Sequence, residues 1–454
     1  KSFNIRCICG AGDLTFHEYP EQSGIFYGYS YAYIRNANDI RLFASLSERA
    51  GYTIITFNAN ASTVSIEKDL EGVTYKKGQE ITLLELCDII DNIDNAFDKY
   101  FEEAKIDKPR AKRMCGYTTW YNYYTSVTEE IVERDLEAIA KLGSKIDIFQ
   151  VDDGYERTVG DWLYHDEKKF PSGMKLIADN IHKHDMLAGL WLAPFAATPK
   201  SYIYNKHKDW FVKNKNGKIP FASQNWGGFY ALDIYNNEVR QYLKEVFDTV
   251  LNVWGYDMVK LDFLYACCII PFNGKSRGEI MCDAMDLIRE LCGDKLILGC
   301  GVPLVPAFGK VDFCRIGADM ALSWGKKPFS REDVSTKHAL LNTIFRRELD
   351  GRAFLNDPDV FLLRDNNIKM SFEQRKLIAE TASLFGNLLF VSDDVSTYNN
   401  NQKDCFINVT TRNKADINYV NMDSDGDISI KYTLDGEKKG YCFNINSGDK
   451  KVLI

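Results

Sequence analysis

Residues 113 to 394 hold eight short apolar runs. Each closes on polar or charged residues, and most are followed by a stretch of helical period. The runs are RMCGYTTW (113–120), KIDIFQVDD (145–153), LAGLWLAPF (187–195), YDMVKLDF (256–263), DKLILGCG (294–301), FCRIGAD (313–319), AFLNDPD (353–359) and LLFVSDD (388–394). Strand-like runs alternating with helix-like ones predict parallel strands joined by crossover helices. Eight such units predict an α/β fold, a (β/α)8 TIM-type barrel. An open doubly wound sheet is the alternative. It is disfavoured because no glycine-rich phosphate loop follows the first run.

The intervening segments carry helix signals. TEEIVERDLEAIAKLG (128–143) opens on a capping Thr and early acids and closes on Gly143. SFEQRKLIAETASLFG (371–386) opens on Ser371 and closes on Gly386. Within 236–254, Val239, Tyr242, Leu243, Val246, Phe247, Val250, Leu251 and Trp254 fall on one helical face. The stretch between the fifth and sixth runs is short and holds Pro303 and Pro306, so its helix should be vestigial.

The flanks read differently. Residues 1–80 alternate as β structure and predict an N-terminal β-sandwich-like domain, whole or partial. Residues 81–112 predict a helical linker, 113–395 the barrel, and 396–454 a small C-terminal antiparallel β domain. DCFINVTTR, DISIKYTL and GYCFNI are expected to be strands of that last domain.

The formal net charge is -8 and no basic block occurs, which argues against nucleic acid and anionic membrane as partners. No run of eighteen apolar residues predicts a membrane span. The oligomeric state is not legible. Twelve cysteines are present, among them Cys7, Cys9 and the adjacent Cys267 and Cys268; several, such as Cys115, Cys300 and Cys314, fall in apolar strand-like runs, and the set reads as reduced thiols. With no signal-peptide pattern, this points to a bacterial cytoplasm, and the start at Lys1 reads as that of a fragment, a processed form or a trimmed chain. The sequons at Asn60 and Asn408 then carry little weight. His182 and His184 are two residues apart on a helix and face different ways. There is no HExxH or CxxC, so neither a metal nor a cofactor is expected.

A barrel carries its chemistry at the C-terminal ends of its strands. Those ends hold Trp120, Asp152, Asp153, Trp191, Lys260, Asp262, Cys300, Arg315, Asp319, Asp357 and Asp359. Lys260 and Asp262 are two apart in one strand and are expected to share a face, the ammonium favouring an ionised Asp262. Arg315, Gly317 and Asp319 repeat the spacing if pairing stays regular. Two carboxylates on one cleft suit glycoside hydrolysis, one as nucleophile and one as acid/base. Each feature alone has a structural reading: a fixed ion pair, a helix cap, a core Trp. Their convergence on one mouth favours a site.

VKLDFLYA, FQVDDGYERTVGDW, LILGCGVPLVPAFGKVDFCRIGADM and FLNDPDVFLLR together resemble the glycoside hydrolase family 36 α-galactosidases, or melibiases. The resemblance covers roughly 113–400. It implies a retaining, metal-free exo-α-galactosidase acting on oligosaccharides such as melibiose or raffinose. Asp262 matches the nucleophile and Asp319 the general acid/base. Asp152 and Asp153 match the pair binding the 4- and 6-hydroxyls of galactose, and Lys260 and Arg315 the basic sugar contacts. Trp120, Tyr121 and Trp191 match aromatic wall positions, and Cys300 lies on the loop expected near the 2-substituent. The alternatives on the same site are an α-N-acetylgalactosaminidase, an α-galactosyl transglycosylase, or a non-catalytic carbohydrate-binding relative. Two departures stand out. Residues 1–119 contain no Trp, where the family often places one over the pocket, and MALSW follows Asp319 where a Pro-containing segment is expected.

Overall fold

The computed structural model describes residues 22–36, 39–325 and 334–453. Cys7, Cys9 and the first residues of the N-terminal region lie outside them. The eight apolar runs are parallel strands: Met114–Thr118, Ile148–Val151, Leu187–Leu192, Met258–Leu261, Leu296–Gly299, Phe313–Arg315, Leu355–Asp357 with Val360–Phe361, and Leu388–Val391. The seventh is split. Its first half pairs with the sixth strand and its second half with the eighth, while the eighth also pairs with the first. The sheet therefore closes into a (β/α)8 barrel. The break falls at Pro358 and Asp359, and Asp359 has a φ of 76°, in the left-handed region. Strands covered on both faces read as nearly unbroken apolar runs. The fourth strand is buried throughout, Lys260 included.

The helices begin where the polar signals lie. Thr128 Oγ1 accepts the Ile131 N–H to start Glu129–Ala140. Ser371 and Gln374 exchange hydrogen bonds as a capping box for Phe372–Phe385. The helix between the fifth and sixth strands is the single turn Leu304–Ala307. The 236–254 segment is a helix over Asn237–Asp248 that ends in one π-helical turn, Thr249–Val253.

Three expectations in the flanks are corrected. The described N-terminal residues form one six-stranded antiparallel sheet rather than two facing sheets. The segment 81–112 is not helical from its start. Leu86–Asn92 is the last strand of that sheet, and only Ile93–Glu103 is helical, capped by Asn92. This helix packs on the sheet through Phe97 against Tyr31 and Tyr33, and Tyr100 donates to the Ser45 carbonyl at 2.8 Å. DCFINVTTR, except for its last residue, Arg412, lies in the helix Asn400–Thr411, because Asn399 and Gln402 form a capping box ahead of it. The antiparallel C-terminal sheet begins only at Asp416. Trp324 ties that sheet to the barrel by donating to the Ile445 carbonyl at 3.1 Å.

Candidate active site

Lys260 has its principal partner across the mouth. Its Nζ lies 2.9 Å from Asp152 Oδ2, at the end of the second strand. The same oxygen accepts Gln150 Nε2 at 2.7 Å and Thr118 Oγ1 at 3.2 Å, and Oδ1 accepts the Asp153 N–H at 3.0 Å. Burial disfavours the Lys260 charge, but the attraction of Asp152 outweighs it and holds the ammonium above its usual range. Asp262 also attracts the ammonium, as expected of two groups on one face, but less than Asp152 does.

Asp262 stands one residue past its strand, where its N–H continues the ladder to the Leu192 carbonyl at 2.8 Å. Its Oδ1 accepts the Phe263 N–H at 2.7 Å and its Oδ2 the Trp191 indole N–H at 3.2 Å. Both carboxylate oxygens are therefore held. Phe263 adopts a left-handed φ of 52°. Gly301 leaves the room this needs, since a Cβ there would lie 3.0 Å from Phe263 N and 3.2 Å from Asp262 Oδ1.

Arg315, at the end of the sixth strand, faces three carboxylates. Nη1 lies 2.8 Å from Asp319 Oδ1, Nε 3.2 Å from Asp357 Oδ2 and Nη2 2.9 Å from Asp359 Oδ1. Regular pairing stops at Arg315, so Asp319 is placed by a four-residue loop rather than by strand periodicity. The Asp357 and Asp359 side chains are fully buried, while that of Asp319 is half exposed to the mouth. Asp359 Oδ2 also accepts the Tyr121 hydroxyl and the Met320 N–H. Burial pushes Asp359 up to about 6, with Arg315 opposing and Asp319 and Asp357 reinforcing the rise.

Cys300 is buried between the two halves and interacts electrostatically with Asp262, Arg315, Lys260 and Asp319. Burial, then Asp262, pushes its thiol up. Trp191 is buried at the third strand. Trp120 is half-buried after the first strand, its ring edge-on to Tyr124 at 5.1 Å. The residues singled out at the strand ends thus gather at one mouth.

Two residues of this site were not found by sequence reasoning. Trp226 belongs to an insertion after the third strand that forms a small sheet of Ala196–Ala197, Phe221–Ser223 and Phe229–Ala231. Its indole N–H donates to Asp153 Oδ2 at 2.8 Å. Glu156, buried, accepts the Gly154 N–H at 3.1 Å and interacts electrostatically with Asp153. Burial, then the Asp153 charge, pushes Glu156 well above the usual carboxylate range, and burial raises Asp153 too. The run QNWGG, a Trp ahead of two glycines, was the one available sign of Trp226. Among the described residues, no group of three or more His, Cys, Asp or Glu is arranged to hold a metal ion.

The Melibiase family model matches residues 92–272. The chain is 25% identical over 259 residues to the α-galactosidase Mel36A of Lactobacillus acidophilus, covering 55% of this chain and 34% of that one. It is 26% identical over 217 residues to an α-galactosidase of Escherichia coli, covering 45% and 30%. The chain spans about a third of the length of these curated relatives. The α-galactosidase TtGalA from Thermus thermophilus, solved with p-nitrophenyl α-D-galactopyranoside, superposes with a TM-score of 0.73 at 25% identity, over 91% of this chain and 80% of that one. The same enzyme has also been solved with stachyose, with a TM-score of 0.70 at 26% identity over 84% and 80%.

Proposed function

We propose that the chain, which the Melibiase family model matches over residues 92–272, is a retaining exo-α-galactosidase acting on small α-galactosides such as melibiose or raffinose. The observation that carries this reading is the clamped carboxylate of Asp262. Both of its oxygens are held by N–H donors, of Trp191 and Phe263, at the mouth of a barrel. A carboxylate so oriented is preorganised for in-line attack on an anomeric carbon.

In the first step Asp262 attacks C1 as Asp319 gives its proton to the departing glycosidic oxygen. In the second, Asp319 takes a proton from water as that water attacks C1, freeing the sugar and Asp262. The half-exposed position of Asp319 supports this role, since the leaving group and then the attacking water must both reach it. Asp152 and Asp153 would accept sugar hydroxyls, with Lys260 and Arg315 as the neighbouring cations. Trp191, Trp120 and Tyr121 would wall the ring, and Cys300 would lie by the 2-position. The ten described cysteines are free and nine of them are buried, which supports a reducing, cytoplasmic setting.

The test is release of p-nitrophenol from the α-galactoside and the α-N-acetylgalactosaminide by wild type and Asp262→Ala. Cleavage of the galactoside is expected, with a loss of at least ~10⁴-fold in kcat for the variant. Turnover of the N-acetylated substrate alone would overturn the choice of sugar. An active Asp262→Ala would overturn the nucleophile. A product released first as the β-anomer would overturn retention.

A further inference from the structure

Trp226 touches one carboxylate of the mouth, Asp153, and the two residues that hold another, Asp262. Its indole N–H donates to Asp153 at 2.8 Å. Its ring centroid lies 4.7 Å from that of Phe263, the residue after Asp262, and 5.8 Å from that of Trp191, whose own N–H holds Asp262. Phe229 closes the cluster at 5.3 Å. One half-buried ring therefore braces Asp153 and the two residues that hold Asp262.

The loop is built to deliver it. Trp226 has φ 55° and ψ 23°, a left-handed conformation that disfavours a bulky side chain and persists only where the surroundings impose it. Those surroundings are visible. The Gly227 N–H reaches the Gln224 carbonyl at 3.1 Å, and the Gly228 N–H the Asn225 carbonyl at 2.8 Å. Gly228 has φ 114°, and a Cβ on it would meet the Phe221 ring at 2.6 Å. The turn is locked, with the indole pointing at a carboxylate.

We propose that Trp226 is a specificity-determining residue of the sugar site, fixing the Asp153 carboxylate so that only a substrate with the matching hydroxyl satisfies it. This rests on the α-galactosidase reading above. A carboxylate pinned on one oxygen by a charge-assisted bond presents its remaining lone pairs in fixed directions. A substrate lacking the hydroxyl then leaves a buried acceptor unpaired, which is how a polar pocket rejects a deoxy analogue. Without the pin, the carboxylate turns toward water and tolerates the analogue.

The experiment measures kcat and KM for p-nitrophenyl α-D-galactopyranoside and its 4-deoxy and 6-deoxy analogues. It uses the full chain as wild type, Trp226→Phe, which keeps a ring without the N–H, and Trp226→Ala. Trp226→Phe is expected to reduce the larger galactoside-over-deoxy preference at least tenfold, with KM for the galactoside rising more than kcat falls. Trp226→Ala should raise that KM further. A Trp226→Phe variant that keeps the wild-type preference within twofold overturns the proposal. If Trp226→Phe lacks a cooperative melting transition, Trp226→Leu, which also has no donor, is measured in its place under the same criterion. Wild type that cleaves none of the three substrates sinks the α-galactosidase reading itself. Active wild type with an unchanged Trp226→Phe preference sinks only the role of Trp226.

Discussion

Two buried cations face each other across the barrel mouth, and they keep different company. Lys260 is bonded to one carboxylate, Asp152, which two neutral donors also satisfy. Arg315 is shared among three carboxylates, Asp319, Asp357 and Asp359. The ammonium is a compact charge that one partner can neutralise, whereas the guanidinium is a planar fork that can serve several at once. The first pair is balanced and has reason to stay as it is. The second cluster carries more negative than positive charge, and in a buried place that excess is relieved by holding a proton. Burial raises Asp359 to about 6, and Asp319 and Asp357 reinforce that rise against Arg315. A fixed pair suits the binding of sugar hydroxyls, and a proton-holding cluster suits acid/base work.

Removing the cations tests the contrast most severely. Arg315→Met leaves two fully buried carboxylates and Asp319 without their shared partner, at a cost of about 5 kcal/mol, the upper end for exposing a buried charge. Lys260→Met leaves Asp152 with Gln150 and Thr118 and should cost about 3 kcal/mol, the lower end. Urea unfolding of both at neutral pH measures the difference. Equal costs would mean that the number of carboxylates around each cation does not matter.

The proton-holding half should also show itself through pH. The folded-state value of Asp359 is raised, so the folded chain keeps a proton that the unfolded chain has released. The stability this contributes is complete below the ordinary carboxylate value, about 4, and is lost as pH rises through about 6. An Asn does not titrate. Between pH 4 and 7 the difference between Asp359→Asn and wild type should therefore move in favour of the variant, by up to about 3 kcal/mol. Melting both proteins across this range gives the slope. A flat difference would remove the proton from Asp359.

The two halves were unequally legible in the sequence. Eight strands could be counted because strands buried on both faces are uninterrupted apolar runs, and the charges that end them mark the mouth. Lys260 and Asp262 stood out for that reason. The partner of Lys260 did not, since Asp152 is 108 residues away and only barrel closure brings the two together. Strand periodicity also failed at Asp319, because the sixth strand ends at Arg315 and a loop sets the rest. Loops hid Trp226 as well: an insertion has no period, and its left-handed turn depends on contacts the local sequence does not encode. DCFINVTTR misleads for a related reason. Its β-branched residues suggest a strand, but the cap formed by Asn399 and Gln402 outweighs that preference.

The smallest effect falls on the link between the aromatic wall and the proton-holding cluster. Tyr121 donates a hydrogen bond from its hydroxyl to Asp359, which favours the ionised carboxylate. Tyr121→Phe removes that bond and leaves Asp359 with Arg315 and the Met320 N–H, so Asp359 should hold its proton to higher pH still. At neutral pH, where the carboxylate is charged, the loss should be about 1 kcal/mol. Below pH about 5 it should shrink, because the protonated carboxyl has less need of a donor. A double-mutant cycle with Asp359→Asn isolates the coupling. If Tyr121→Phe costs the same in the Asn background and at every pH, the hydroxyl acts only through packing, and the wall and the cluster are independent.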